Sequence, residues 1–315
     1  MREAAVRAML FDTHAHVLSA DRSRYPYSSL RGGATPPVSP MVFPVEELVR
    51  QMDAQGVDHA CLVQRATLYG YDNSYTLDAA EQFPGRLAPI VVLDAQDPAS
   101  PLELRRLAAL AGGLAGLRIV APTLTRDDTD WLDSEEALGL WSAASDLGLP
   151  VTVILYRLNN EAGREALLGI ARRFTQLPIL VDHVGLPHPS TPEKAWATSQ
   201  GIDYSIPTGP DFGIGEALSA FGNLGHVHFK VTDINFDRLE EAGLDSAAFV
   251  GALAARFGAD RLLWGSDVGQ SPAPYDEKIA RLKAAGAALP EDDRERFFGA
   301  TAWRLYGGSL AAPGA

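Results

Sequence analysis

Residues 9–16 read MLFDTHAH, a short apolar run that ends in alternating polar residues. A run of this length, with turn residues beyond it, predicts a buried β-strand over Met9–His14. Successive side chains of a strand point to opposite faces, so His14 and His16 point the same way and Ala15 points away from them. The stretch therefore predicts a first strand that carries two imidazoles at its carboxyl end.

Similar runs recur along the whole chain and alternate with helical patterns, such as the face formed by Val45, Leu48, Val49 and Met52. This alternation is typical of parallel β-α units. A doubly wound sheet fits less well, because no G-x-G-x-x-G turn follows the first strand. We therefore predict a single-domain α/β protein, a (β/α)8 TIM barrel over residues 9–308, with tails at 1–8 and 309–315 and an added C-terminal helix over Glu291–Tyr306. The other predicted strands are Ala60–Gln64, Ala88–Leu93, Gly116–Val120, Val151–Tyr156, Ile179–Asp182, Val227–Val231 and Leu262–Trp264.

Composition excludes several classes of partner. The chain has 315 residues, 46% of them hydrophobic, and a formal net charge of −13 without a basic cluster, which disfavours nucleic acids and anionic membranes. No apolar run approaches the roughly 20 residues that span a bilayer, and residues 1–10 lack the pattern of a secretory signal. Cys61 is the single cysteine and has no disulfide partner. These features predict a cytoplasmic protein, and they leave a homo-oligomer open.

Two connections are longer than the rest, residues 18–43 after the first predicted strand and 186–213 after the sixth. Loops of this length are uncommon in compact domains and often cover binding sites. In a barrel both would overhang the face formed by the carboxyl ends of the strands, where active sites of TIM barrels lie. Poor order is the alternative reading of the first loop.

Ionisable residues also end the sixth and eighth predicted strands, as His183 and Asp267. In a closed barrel these residues would meet His14 and His16 at one rim. Imidazoles and a carboxylate in such a cluster can hold a divalent metal that activates water. Alternatively, the carboxylate acts as a general base while the imidazoles polarise a carbonyl group. Each residue alone has an ordinary structural explanation, but the four together predict an active site.

The motifs FDTHAH, VDHVG, LLWGSD and FFGATAWRLYG resemble, in order and spacing over nearly the whole chain, the amidohydrolase-2 branch of the amidohydrolase superfamily. This resemblance implies a TIM-like barrel that catalyses hydrolysis or, in some members, decarboxylation. The chain departs from the superfamily pattern at two strands. The fifth strand ends in Tyr156 rather than a histidine, and the fourth carries Arg118 where binuclear members have a lysine. A binuclear centre is therefore not expected.

The missing histidine makes the chain similar to the lactonase group of this branch, which includes 2-pyrone-4,6-dicarboxylate and sugar-acid lactonases. The resemblance implies that Asp267 activates water while His14, His16 and His183 polarise a lactone carbonyl. It leaves two alternatives for the cofactor. Either one divalent metal, zinc or manganese, is held by His14, His16 and Asp267, or catalysis proceeds without metal.

Arginines near three strand ends suggest an anionic small-molecule substrate, because a guanidinium binds a carboxylate in bidentate fashion. Ion pairs within the protein are the alternative role for these arginines. We expect substrate contacts from Arg65, Arg118, Tyr156, Arg157 and His188, and further polar contacts from Lys230, Thr232, Asp233 and Asn235. In contrast, Cys61 is expected to pack in the core, and His59, His226 and His228 to be structural at the opposite face.

Three functions are therefore compared. The first is hydrolysis of a carboxylate-bearing lactone, and the second is metal-dependent decarboxylation of an aromatic or enol acid. The third is a non-catalytic barrel, which the intact quartet of polar residues argues against.

Overall fold

The computed structural model describes residues 8–28, 30, 42–110, 112–121, 129–155, 161–186, 195, 198, 199 and 211–310. Eight parallel strands form one sheet in chain order, with helices around it, which confirms the predicted (β/α)8 barrel. The strands are β1 Phe11–Ala15, β2 His59–Val63, β3 Leu87–Val92, β4 Gly116–Val120, β5 Val151–Ile154, β6 Ile179–Val181, β7 Val227–Thr232 and β8 Leu262–Gly265.

The helices follow the strands, and a few short ones were not predicted. Among the described residues they are α1 Val45–Gln55, α2 Ala66–Tyr69, α3 Ser74–Gln82, α4 Ser100–Ala108, α5 Asp130–Asp133, α6 Glu135–Asp146, α7 Glu161–Arg173, α8 Gly215–Ser219, α9 Asp233–Glu241, α10 Ser246–Phe257, α11 Tyr275–Gly286, α12 Glu291–Glu295 and α13 Thr301–Leu310. The predicted C-terminal helix is α12 and α13 joined by one π-helical turn over Arg296–Ala300. None of the described helices is long and apolar enough to cross a membrane.

The barrel closes where the carboxyl end of β1 meets the segment just beyond β8. The amide of Asp267 donates to the carbonyl oxygen of His14 at 2.7 Å, and the amide of His16 donates to that of Val268 at 2.9 Å. A Cβ atom on Gly265 would lie 2.5 Å from that of His14, so only glycine lets these two segments approach so closely. The LLWGSD motif thus brings its aspartate next to the histidines of β1.

A buried carboxylate reinforces this closure. Asp12 is fully buried and its Oδ1 accepts hydrogen bonds from the amides of Ser266, at 2.8 Å, and His14, at 3.1 Å. Its Oδ2 accepts a hydrogen bond from the hydroxyl of Tyr275 at 3.0 Å. Asp12 therefore ties β1 to the segment after β8 at the point where the regular strand ladder ends.

The opposite end of the barrel is filled with apolar side chains. Phe11, Cys61 and Leu263 belong to a buried cluster with Tyr306 and Leu310 of α13. Burial raises the pKa of the Cys61 thiol well above its ordinary value, so the thiolate is disfavoured. The C-terminal helix therefore closes the amino end of the barrel with apolar side chains.

Candidate active site

The structure brings His14, His16, His183 and Asp267 together at the carboxyl end of the barrel. Nε2 of His14 and Nε2 of His16 each lie 3.5 Å from Oδ1 of Asp267. The centroid of the His14 ring is 4.9 Å from that of His16 and 4.9 Å from that of His183. All four side chains are buried, with at most 3% of each residue exposed. The four positions therefore form one cluster.

Each of the three imidazoles is oriented through its Nδ1 atom. Nδ1 of His16 donates to the carbonyl oxygen of Val63 at 2.7 Å, and Nδ1 of His14 lies 3.3 Å from Oδ1 of Asp182. Nδ1 of His183 lies 2.6 Å from the hydroxyl oxygen of Thr232. Outer partners of this kind fix the tautomer and ring orientation and leave Nε2 for the site.

The backbone is strained at two of these four positions. His183 has φ 53° and Asp267 has φ 52°, in the left-handed region that side chains with a Cβ atom rarely adopt. The conformation at His183 continues through Val184, Gly185 and Leu186, so that VDHVG forms a tight left-handed turn after β6 instead of extending the strand. Such strain costs about 1–3 kcal/mol per residue and clusters at functional sites.

Asp182 is a buried charge that the sequence analysis did not single out. Its Oδ2 accepts a hydrogen bond from Nε of Arg118 at 2.7 Å, and Nζ of Lys230 lies 3.6 Å from its Oδ1. Burial raises the pKa of Asp182, but Arg118, His14 and Lys230 outweigh this and hold it well below the usual range. Asp182 is therefore an anion that orients His14. The Asp-His dipeptide at the end of β6 was the signal that could have identified it.

The protonation states follow from burial. Burial lowers the pKa of His183 to about 4 and that of His14 well below its ordinary value, so both rings are neutral near pH 7. For Asp267, burial raises the pKa, but contact with His16 and the other imidazoles outweighs it and holds the pKa below its usual range. The cluster thus combines neutral imidazoles with a carboxylate anion.

This charge pattern fits a cation. Because Nδ1 of His14 faces the carboxylate of Asp182, the neutral ring holds its proton there and turns the lone pair of Nε2 toward the carboxylate of Asp267. Among the described residues, Nε2 of His14 and both carboxylate oxygens of Asp267 are buried and lack a hydrogen-bond partner. Acceptors that face one another in a buried site repel unless a cation or a proton lies between them.

A donor from each of His14, His183 and Asp267 lies within 4.8 Å of the others, a spacing that could hold one metal ion. The ligand set predicted from the sequence had His16 in place of His183. The structure places His183 in the group because the left-handed turn after β6 carries its ring inward. Nε2 of His16 still lies beside Oδ1 of Asp267.

Above the cluster lies a cavity of about 190 Å³. Among the described residues, three arginines line it: Arg65 just after β2, Arg118 on β4 and Arg238 on α9. Arg65 also donates to the carbonyl oxygen of Gly269 at 2.7 Å, and burial lowers its pKa to about 10, which leaves it cationic near pH 7. The sequence analysis missed Arg238, because α9, the helix that carries it directly after β7, was not predicted.

Other predicted site residues have different outcomes. Tyr156, Arg157 and His188 lie outside the described residues. Arg118 lines the cavity and also makes an ion pair with Asp182, which is the alternative role considered for it. Thr232 and Asn235 hold His183 rather than extend into the cavity: Nδ2 of Asn235 donates to the carbonyl oxygen of His183 at 2.7 Å, and Thr232 begins α9 as its N-cap.

Two known proteins resemble this chain in sequence. A 4-sulfomuconolactone hydrolase of Hydrogenophaga intermedia is 28% identical in an alignment of 306 positions that covers 94% of this chain and 88% of that protein. An L-fucono-1,5-lactonase of Burkholderia ambifaria is 27% identical over 84% of this chain and 85% of its own length. Both relatives are lactone hydrolases by name.

Solved structures share the fold. A Pseudomonas putida protein, provisionally assigned as a 2-pyrone-4,6-dicarboxylic acid hydrolase, superposes with a TM-score of 0.68 over 96% of this chain and 98% of its own, at 24% identity. An amidohydrolase of Burkholderia multivorans with bound zinc superposes with a TM-score of 0.64 at 21% identity, over 95% of this chain and 99% of its own. A manganese-bound 5-carboxyvanillate decarboxylase of Novosphingobium aromaticivorans has a TM-score of 0.62 at 18% identity, with 95% and 97% of the two chains covered. At these identities the likeness shows the barrel alone.

The amidohydrolase family profile matches residues 11–308, which include His14 and His16 at the carboxyl end of β1, the turn of His183 and the turn of Asp267. This match spans nearly the whole chain, and the protein therefore belongs to the amidohydrolase family.

Proposed function

We propose that the protein hydrolyses the ester bond of a small lactone that carries an anionic group. The observation that carries this proposal is the carboxylate of Asp267, which lies 3.5 Å from Nε2 of both His14 and His16 beneath an arginine-lined cavity. A carboxylate in such a cluster is suited to activating water. The arginines are suited to binding a carboxylate or sulfonate of the substrate. The two lactone hydrolases among the relatives support the same chemistry.

In the proposed reaction, the arginines hold the anionic group of the lactone so that its carbonyl group faces the cluster, and Asp267 orients a water molecule toward the carbonyl carbon. As the water oxygen forms its bond to that carbon, Asp267 takes a proton from it. The ring C–O bond of the resulting tetrahedral species then breaks, and the departing oxygen takes the proton from Asp267. The product is a hydroxy acid whose new carboxylic acid ionises in water. Burial of the site excludes competing solvent from the developing oxyanion.

We propose that one divalent metal, zinc or manganese, is held by His14, His183 and Asp267. Two nitrogens and one carboxylate oxygen, plus water, are a donor set that catalytic zinc accepts. When bound, the metal would lower the pKa of the attacking water and polarise the carbonyl group. The facing acceptor atoms of the cluster support a cation there. Elemental analysis of purified protein, with activity measured before and after chelation, separates this proposal from metal-free catalysis by the same residues.

The proposed function is tested by turnover of sulfonated, carboxylated and uncharged lactones. We expect hydrolysis of at least one anionic lactone and its loss in the Asp267→Asn variant, without a change in melting temperature. The exposed Asp146, which pairs with Arg105 on the helical surface, supplies the matched control Asp146→Asn. An Asp267→Asn variant as active as the wild type would exclude the role of this carboxylate. Release of carbon dioxide from an aromatic acid, without lactone turnover, would instead support decarboxylation.

A further inference from the structure

We propose that a buried strut, the side chains of Asp233, Lys278 and Ser271, holds the two strained turns of the candidate active site in register with each other. One turn carries His183 and follows β6, and the other carries Asp267 and follows β8. These turns are joined to different strands, and the short strand ends do not pair directly with each other. The importance of the strut for turnover rests on the function proposed above, whereas its mechanical role does not.

One end of the strut is the first turn of α9, which also fixes the His183 turn. Thr232 is the N-cap of this helix, and its hydroxyl oxygen lies 2.6 Å from Nδ1 of His183. Asn235 donates from Nδ2 to the carbonyl oxygen of His183 at 2.7 Å. Asp233 lies between these two residues, so its position is coupled to the backbone and to the ring of His183.

The other end is the turn of Asp267. The amide of Ser271 donates to the carbonyl oxygen of Asp267 at 2.9 Å, and its hydroxyl group lies 3.2 Å from the same oxygen. Asp267 has a positive φ of 52°, so this backbone conformation needs support from its neighbours. Ser271 supplies two contacts to that one carbonyl oxygen.

Lys278 of α11 joins the two ends. Its Nζ donates to Oδ2 of Asp233 at 2.7 Å and also hydrogen-bonds the hydroxyl group of Ser271. The side chains of Lys278 and Asp233 are 0% and 1% exposed. A buried ion pair is expensive to desolvate and is often no more stable than a well-packed apolar pair, so stability alone does not account for it. Its directional hydrogen bonds do set a distance between α9 and the Asp267 turn.

Arg281 lies at the partly exposed edge of this network and offers a matched control. It lies 3.3 Å from Oδ2 of Asp233, but its shorter contact, at 2.6 Å, is with Asp237, and its side chain is 22% exposed. Within the described part of the chain, Arg281 has no hydrogen bond or ion pair with Ser271, His183 or Asp267. A variant at this position therefore changes charge next to Asp233 without cutting the connection between the turns.

The experiment compares Ser271→Ala, which removes the bridging hydroxyl group, with Ser271→Thr, which keeps it. Amide hydrogen exchange is followed at Gln270, whose N–H donates to Asp267, and at Leu186, whose N–H donates to His183. We expect exchange at both amides to accelerate about tenfold or more in Ser271→Ala and to stay within about twofold of the wild type in Ser271→Thr and Arg281→Gln. Acceleration at Leu186 is the decisive signal, because this amide belongs to the far turn. Unchanged exchange at Leu186 in Ser271→Ala would overturn the strut.

Turnover provides a second measurement. In Ser271→Ala we expect kcat to fall about tenfold with KM little changed, because misalignment of His183 and Asp267 affects the chemical step more than binding. The double variant Asp233→Asn with Lys278→Met removes the ion pair without leaving a buried charge alone, and should behave in the same way. If both variants keep wild-type kcat while Asp267→Asn is inactive, the strut is wrong and the proposed function stands. If the wild type hydrolyses no lactone, the proposed function fails and hydrogen exchange alone decides the strut.

Discussion

The two ends of the barrel both carry histidines, and they use them in opposite ways. At the amino end, Nδ1 of His59 and Nε2 of His226 lie 3.0 Å and 2.9 Å from backbone carbonyl oxygens, and Nδ1 of His228 makes a similar contact at 3.0 Å. At the carboxyl end, Nδ1 is likewise anchored, but Nε2 of His14 and of His16 faces the carboxylate of Asp267. An anchored ring nitrogen is therefore common to both ends. A shared carboxylate distinguishes the functional end.

Buried ion pairs separate the two ends as well. The amino end is closed by apolar side chains and by Tyr306 of α13. The carboxyl end buries Asp182 with Arg118 and Lys230, at most 8% of any of these side chains being exposed. A protein interior holds such charges only when they are paired. Their concentration at the carboxyl end therefore indicates that the functional site lies at this end. Four predictions test this contrast.

The largest effect is expected for Asp267→Asn. Losing a general base lowers kcat by about 10³-fold, because the amide cannot take a proton from water. The fold should persist, since an amide of the same shape can occupy the site. Steady-state kinetics and thermal unfolding of the variant and of Asp146→Asn measure both outcomes. Residual activity above about one tenth of the wild type would contradict the assigned role.

Histidines at the two ends should differ in metal binding. We expect His14→Gln to weaken zinc affinity by about 100-fold or more, because losing a ligand costs at least as much as losing an outer partner of a ligand. His228→Asn, at the amino end, should leave the affinity unchanged. Competition with a chromophoric chelator measures both affinities. Equal zinc affinities in the two variants would contradict the proposal that His14, and not the amino end, binds the metal.

Arg238 should discriminate between charged and uncharged substrates. A charged hydrogen bond contributes about 1.5–3 kcal/mol, so Arg238→Gln should lower kcat/KM for anionic lactones by about 10- to 100-fold. The same variant should alter hydrolysis of an uncharged lactone by less than about threefold. Arg105→Gln, on the helical surface, is the control. A uniform loss across all substrates would indicate that Arg238 supports the fold of the site rather than substrate charge.

The smallest effect concerns stability at the amino end. Burial lowers the pKa of His228 to about 4, whereas the unfolded chain has a value near 6.5. Between these values the unfolded state binds the extra proton, so the unfolding free energy falls as the pH falls from 6.5 toward 4. The wild type should lose about 2 kcal/mol more than His228→Asn between pH 7 and pH 5. Urea unfolding at both pH values checks this difference, and parallel losses in the two proteins would refute it.

Much of the fold was predictable because it depends on local patterns. Eight apolar runs separated by helical segments identified the barrel, and a period of two residues placed His14 and His16 on one face of β1. Strand ends were less predictable: β5 ends at Ile154 rather than Tyr156, and β1 runs from Phe11 to Ala15. Ends depend on hydrogen bonds to neighbouring strands, which the sequence of one strand does not encode.

The amino-acid sequence by itself determined the alternation of strands and helices and the residue types His14, His16, His183 and Asp267 at the strand ends. Only the tertiary structure decided that Asp182 orients His14, that Arg238 reaches the cavity and that Asp233 and Lys278 lie between the two turns of the candidate active site. The physical reason is that the first set follows from periodicities over a few residues. The second set depends on contacts between residues that are distant along the chain, and these exist only after the sheet has closed and its register is set.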